Sequence, residues 1–249
     1  MPITFDRFPL ETITFVRRFE RVDVRRLQFQ FEDVFRDYIK AEAQSQNAGP
    51  NAPLSAPQFV MADNKRTLIA SNSSIQLSLN FHEGNTKKSL AELCDQPAKL
   101  MDQVSSLLSL GTKHYYSGLV IVGTAKIKSP IDYSTAFFEA FAPNRFQGEL
   151  STADIQVGER TNGVNSLVAL TTVTLYSKMI NVSVPTEIDL DFTGGAQPAV
   201  QVKIDINDKD LRMTNEHRSF RELTNNIHRA STTLFSGLMA GVPEQVIGL

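Results

Sequence analysis

The chain has 249 residues, 41% hydrophobic and 21% charged, which suits one large domain or two small, closely packed ones. A net charge of −2 excludes a general polyanion binder, so a nucleic-acid partner is not expected outside a local patch. One cysteine, Cys94, excludes an internal disulfide and a cysteine-based zinc site. Sixteen Phe against five Tyr and no Trp assigns the aromatics mainly to a core. The apolar runs are too short to span a bilayer, and MPITFDRFPLETI has no basic-then-apolar leader pattern. A cytoplasmic location follows by elimination, as an expectation.

In chain order, residues 10–19 (LETITFVRRF) read as a strand. Ile13, Phe15 and Phe19 share one face, and Arg17 lies between them. Asp23 then reads as an N-cap for an amphipathic helix with Val24, Leu27, Phe31, Val34, Phe35 and Tyr38 on one side. Residues 43–57 (AQSQNAGPNAPLSAP) are small, polar and Pro-bearing, and predict an exposed loop. Short strands are predicted at 58–62, 67–71 and 74–81. The clean alternation of the third points to an antiparallel sheet with one wet face. A second helix is predicted from Pro97, at its first position, to Leu110, with Gly111 as the stop.

The pattern then restarts. Residues 114–128 read as a long central strand, because 118–125 is apolar on both faces. A short helix at 134–141 follows, then strands at 154–159, 166–184, 187–192 and 199–206. The apolar phase slips after Leu170, which predicts a bulge near Thr171-Thr172. Thr193-Gly194-Gly195-Ala196 reads as a hairpin loop. The last helix spans 216–239, with a stripe of Phe220, Leu223, Ile227, Ala230, Leu234 and Leu238, closed by Gly241 and Pro243.

This order predicts an α+β fold, an antiparallel sheet with helices packed on it and a long C-terminal helix across it. Two arrangements fit: a pseudo-duplicated strand-helix-three-strand-helix unit, or one curved sheet gripping the last helix. The halves would be 1–111 and 112–249, packed as one compact unit.

PLETITFVRRF (9–19), GLVIVGTAKI (118–127) and LTNNIHRASTTLF (223–235) resemble a sporadically distributed bacterial family of uncharacterised proteins of about this length. The mid-chain strand lacks the Arg and Asn usual in that family. The resemblance implies a fold and no chemistry.

Known catalytic signatures are missing from the sequence. There is no GxGxxG, GxxxxGK[ST] or GxSxG, and the four histidines (His82, His114, His217 and His228) form no HxH or HExxH pair. They read as surface or capping residues. Cys94, placed just before the second helix, reads as a packed thiol. Asp189/Asp191 and Asp205/Asp208/Asp210 read as solvated acids. The one local charge feature is Arg17, Arg18, Arg21, Arg25 and Arg26, a candidate anion- or partner-binding cluster. Glu20, Asp23, Glu32 and Asp33 lie close enough in sequence to neutralise much of it. Arg17 stands apart, in the apolar phase of its strand. No cofactor or metal is expected. The reading is a non-catalytic interaction or assembly protein, binding another protein or itself, with a carrier of a small apolar ligand as the alternative and an enzyme third.

Overall fold

The alternating segments assemble into one antiparallel sheet. The computed structural model describes residues 5–46, 52–81, 88–108, 112–127, 154–176, 196–214, 216–240, 242 and 247–248. Its strands are β1 (Leu10–Phe19), β2 (Gln44–Ser45), β3 (Pro57–Ala62), β4 (Arg66–Ser71), β5 (Ser74–Asn80), β6 (His114–Ile127), β7 (Asp154–Thr161), β8 (Val164–Tyr176), β9 (Ala196–Asn207) and β10 (Ile247–Gly248). Their order is β2-β3-β4-β5-β1-β6-β9-β8-β7, and β10 pairs with the end of β6.

The centre is the β1–β6 pair, where Phe15 lies opposite Leu119 and Arg17 opposite Ser117. Reading outward, the first half runs β1-β5-β4-β3 and the second β6-β9-β8-β7. Each half thus repeats the same path, a central strand followed by three strands laid from the edge inward. The predicted pseudo-duplication appears as a topological two-fold between β1 and β6.

One face of the sheet carries the core. Ile13, Phe15, Leu119, Ile121, Val202, Ile204 and Ile206 are fully buried there. The predicted bulge at Thr171-Thr172 is not formed. The β8–β9 register runs unbroken from Asn165↔Asn207 to Tyr176↔Ala196. Thr172 takes an inward position and is buried, so a polar residue in the apolar phase mimics a slip.

The first helix is shorter than its stripe implies. Val24–Leu27 form a 3-10 turn, and α1 covers Gln28–Phe35. Asp23 makes no side-chain cap hydrogen bond. Tyr38 and Ile39 are buried past the helix end, and the Arg66 guanidinium lies over the Tyr38 ring. The stripe marked burial correctly and helix length incorrectly. Residues 43–57 are not wholly loop, since Gln44–Ser45 pairs with β3.

Helix α2 spans Leu90–Leu107. Its start is fixed by a capping box: the Ser89 side chain accepts the Glu92 N–H, and the Glu92 carboxylate accepts the Ser89 N–H. Pro97 is therefore inside the helix, not at its start. Cys94 is also inside and fully buried, and burial pushes its thiol up to about 12. The folded protein should therefore resist alkylation of Cys94 at pH 8, and denaturant should restore it. Rapid labelling of the native chain in a mass-spectrometric time course would contradict this.

The C-terminal helix, α3, begins as Phe220–Thr224 and continues through Ile227–Arg229. A π-helical turn at Ala230–Leu234 follows, and Phe235–Met239 completes it. Its start is a second capping box, Ser219 with Glu222. Helix α3 packs against α2 and β6. The π turn inserts one residue into the helical phase, so the buried stripe runs Phe220, Leu223, Ile227, Ala230 and then Ser231, Phe235 and Met239. Leu234 and Leu238, expected in the stripe, are only partly buried. The hydroxyls of Ser231 and Thr232 both donate to the His228 carbonyl, which draws that carbonyl away from regular α geometry. The predicted helix at 134–141, strand at 187–192, hairpin loop at 193–195 and residues 177–184 lie outside the described residues, as do His82, Asp189 and Asp191.

Candidate functional site

The arginine cluster is divided by strand alternation and helix phase. Arg18 points to the opposite face of the sheet from Arg17, over the Tyr116 ring. Arg21, Arg25 and Arg26 are exposed around the turn before α1. Arg25 donates to the Gln46 carbonyl, and Arg26 pairs with Asp23 at 3.1 Å. Their neighbour Phe29 is 77% exposed. It lines a cleft of about 600 Å³ with Glu32, Arg36, Lys40, Glu42 and Met61. Arg36 pairs with Asp33 at 2.7 Å.

Arg17 lies inside, 1% exposed, at the end of the sheet where β1 and β9 finish and β6 begins, beneath the start of α3. Its guanidinium donates to the Arg218 carbonyl at 3.2 Å, stands 3.6 Å from Asp102 and sits over the Phe220 ring. Its Nε and Nη1 make no hydrogen bond. Burial pulls it down to about 10, and Asp102 and Asp208 oppose that shift, so it is a cation at neutral pH.

Two carboxylates complete the junction. Asp102, from α2, accepts the Phe220 N–H at 2.7 Å and the Arg221 N–H at 3.3 Å. It therefore caps α3 from another helix, where the helix dipole favours a negative charge. Asp208, just past β9, is 1% exposed. It accepts the Ser117 N–H and the Arg218 N–H, each at 2.6 Å. The Ser117 hydroxyl donates to the Arg218 carbonyl at 3.1 Å. Asp208 is thus a buried clamp and not a solvated acid. Its expected companions behave otherwise: Asp210 forms an exposed pair with Arg160, and Asp205 accepts from Asn207.

Two histidines close the junction from outside. The rings of His114, at the start of β6, and His217, two residues before the α3 cap, stack at 4.4 Å. No motif spacing brings them together, because 103 residues separate them in sequence and only the fold joins them. Burial first, then the Arg17 charge and His217, pull His114 down to about 4. Burial and Arg17 also lower His217, against Asp208, Asp102 and Glu222.

The junction gathers histidine, serine, acid and arginine, yet its hydrogen bonds are structural. Ser117 donates to a carbonyl and contacts no base, and each carboxylate is engaged by backbone N–H groups. This is the chemistry of a clamp on a helix start, not of an activated nucleophile. Among the described residues, no group of three or more His, Cys, Asp or Glu side chains is placed to hold a metal ion. Beside the clamp lies a polar cleft of about 750 Å³, between the β7–β8 turn and α3, lined by Arg160, Asn162, Arg218, Glu222, Asn225 and Asn226. Its arginines are held by Asp210 and Glu222. Phenylalanines fill the interior against one another: Phe235 meets Phe5 and Phe8 edge-on, and Phe15 meets Phe220.

No protein-family model matches the chain, and no curated protein matches it in sequence. No helix among the described residues is long and apolar enough to cross a membrane.

Proposed function

We propose that the protein is a non-catalytic interaction protein that associates with a second copy of itself through the outer face of α1. The observation that carries this reading is Phe29. Helix α1 buries Phe31 and Phe35 completely, while the third phenylalanine stands 77% exposed. Aromatic and arginine side chains together are the usual composition of interface centres. Charge favours a second copy over a strongly acidic or basic partner. Cations and anions are interspersed around Phe29: Arg25, Arg26, Arg36 and Lys40 with Asp23, Glu32, Asp33, Asp37 and Glu42. A two-fold contact brings such a face against itself with opposite charges available on both sides. Among the described residues, the edge-on contacts of Phe235 with Phe5 and Phe8 and of Phe15 with Phe220 favour the interaction reading over the carrier alternative.

Two purified copies carrying different affinity tags test this. The wild-type pair should co-purify through either tag, and Phe29→Ser in both copies should abolish this while leaving the near-UV circular dichroism of the folded chain unchanged. Undiminished co-purification of the variant would remove α1 from the interface.

A further inference from the structure

We propose that the stacked His114–His217 pair is a proton-operated latch on the start of α3: an imidazolium at either ring, beside the buried Arg17 guanidinium, releases residues 216–224 from the end of the sheet.

The geometry that makes a latch is the meeting of three elements at one point. His114 belongs to the central strand β6, His217 to the segment entering α3, and Arg17 to the neighbouring strand β1, near enough for its charge to act on both rings. Stacking at 4.4 Å holds the entering segment to β6 while both rings are neutral. His114 Nδ1 is buried without a hydrogen-bond partner, so a proton added there gains no acceptor. It also meets a fixed positive charge in a site poor in water.

The charged groups facing the pair come from every surrounding element. Arg17 projects from β1, Asp102 from α2, Asp208 from the end of β9 and Glu222 from α3. The three carboxylates favour imidazolium at His217. Two of them are already engaged by the backbone: Asp102 by Phe220 and Arg221, and Asp208 by Ser117 and Arg218. Glu222 is held by its capping box at Ser219. None of the three carboxylates offsets the positive charge at His114, where Arg17 and His217 both oppose protonation.

The sign follows from linkage. Undocked histidines take up protons near pH 6.5, whereas docked His114 does so only near 4. The released form therefore binds more protons through this interval, and acid favours release. Full separation of these values would raise the opening equilibrium more than tenfold between pH 7 and pH 5. Solvent around the half-buried rings reduces this to about tenfold. What opens is local: the Asp102 and Asp208 bonds to the start of α3 break, while Phe235 and Met239 stay buried beyond the π turn.

Amide hydrogen exchange of the full chain, followed by NMR and corrected for the intrinsic pH dependence of exchange, tests the latch. The amides of Arg218, Phe220 and Leu223 should lose about tenfold in protection from pH 7 to pH 5, with those of Phe235–Met239 unchanged. His114→Phe and His217→Phe keep an aromatic stack without a titrating nitrogen, and the double variant should lose this pH response. If that variant proves poorly folded, His114→Phe alone should remove most of the response, because His114 carries the separation between about 4 and 6.5. Constant protection in the wild type would overturn the latch. So would an undiminished acid response in the double variant, because the carboxylates would then be the titrating groups.

Discussion

Replacing Asp208 with alanine should destabilise the protein by about 3–5 kcal/mol, the usual cost of removing one partner from a buried charge cluster. Three losses coincide. The Ser117 and Arg218 N–H groups lose their acceptor, and each unsatisfied buried donor costs about 1–3 kcal/mol. Arg17, 1% exposed, keeps only Asp102 as a nearby countercharge. Asp208→Asn should cost nearly as much, because an amide nitrogen offers a donor where a donor already points. The control is Asp210→Ala. Its partner Arg160 and its own side chain are well exposed, so the change should stay within about 1 kcal/mol. Urea unfolding monitored by circular dichroism reads all three. A cost below about 1 kcal/mol for Asp208→Ala would show that the junction is not a clamp.

Phe235→Ala should cost about 3–5 kcal/mol, and Leu234→Ala much less. Phe235 is fully buried and meets Phe5 and Phe8 edge-on. Leu234, one residue earlier, is only partly buried because the π turn at Ala230–Leu234 rotates the following residues. A regular α-helix would reverse this ranking, so the pair of variants reads the π turn directly. Deleting residues 216–249 should remove Phe220, Leu223, Ile227 and Phe235 from the core together and leave an insoluble or molten chain. Near-UV circular dichroism and dye binding identify that state. A soluble fragment 1–215 with cooperative unfolding would mean that the sheet does not need α3.

The fold was largely legible because period-two and helical patterns survive in single residues. The alternation of Ile75, Leu77 and Leu79 placed β5, and the two-sided apolar stretch of 118–125 placed β6 at the sheet centre. Boundaries failed where a stronger local signal went unread. Ser89 with Glu92 spells a capping box that overrides Pro97 as a helix start. Asn162-Gly163, with φ of 51° and 78°, spells the β7–β8 turn. The π turn was hidden, because Leu234 and Leu238 continue the stripe as well as Phe235 and Met239 do.

The junction was half legible. Arg17 in the apolar phase left three readings, a strand end, a buried acid partner or a cavity wall, and the structure supplies the acids. Which acids answer it, Asp102 and Asp208, depends on contacts 85 and 191 residues away in sequence. Asp208 also sat in an acidic triplet with an exposed Asp210 and a partly buried Asp205, so composition gave no means of singling it out. The same distance hid the stack of His114 on His217. The arginine cluster was visible as a count, but strand and helix phase divide it among the interior, the open sheet face and the rim of Phe29.

Sedimentation equilibrium of the wild type and of Phe29→Ser, at concentrations from micromolar to hundreds of micromolar, tests self-association most directly. The proposed interface predicts a reversible dimer for the wild type and a monomer for the variant at every concentration. A wild type that stays monomeric throughout, or a variant that dimerises as strongly, would contradict it.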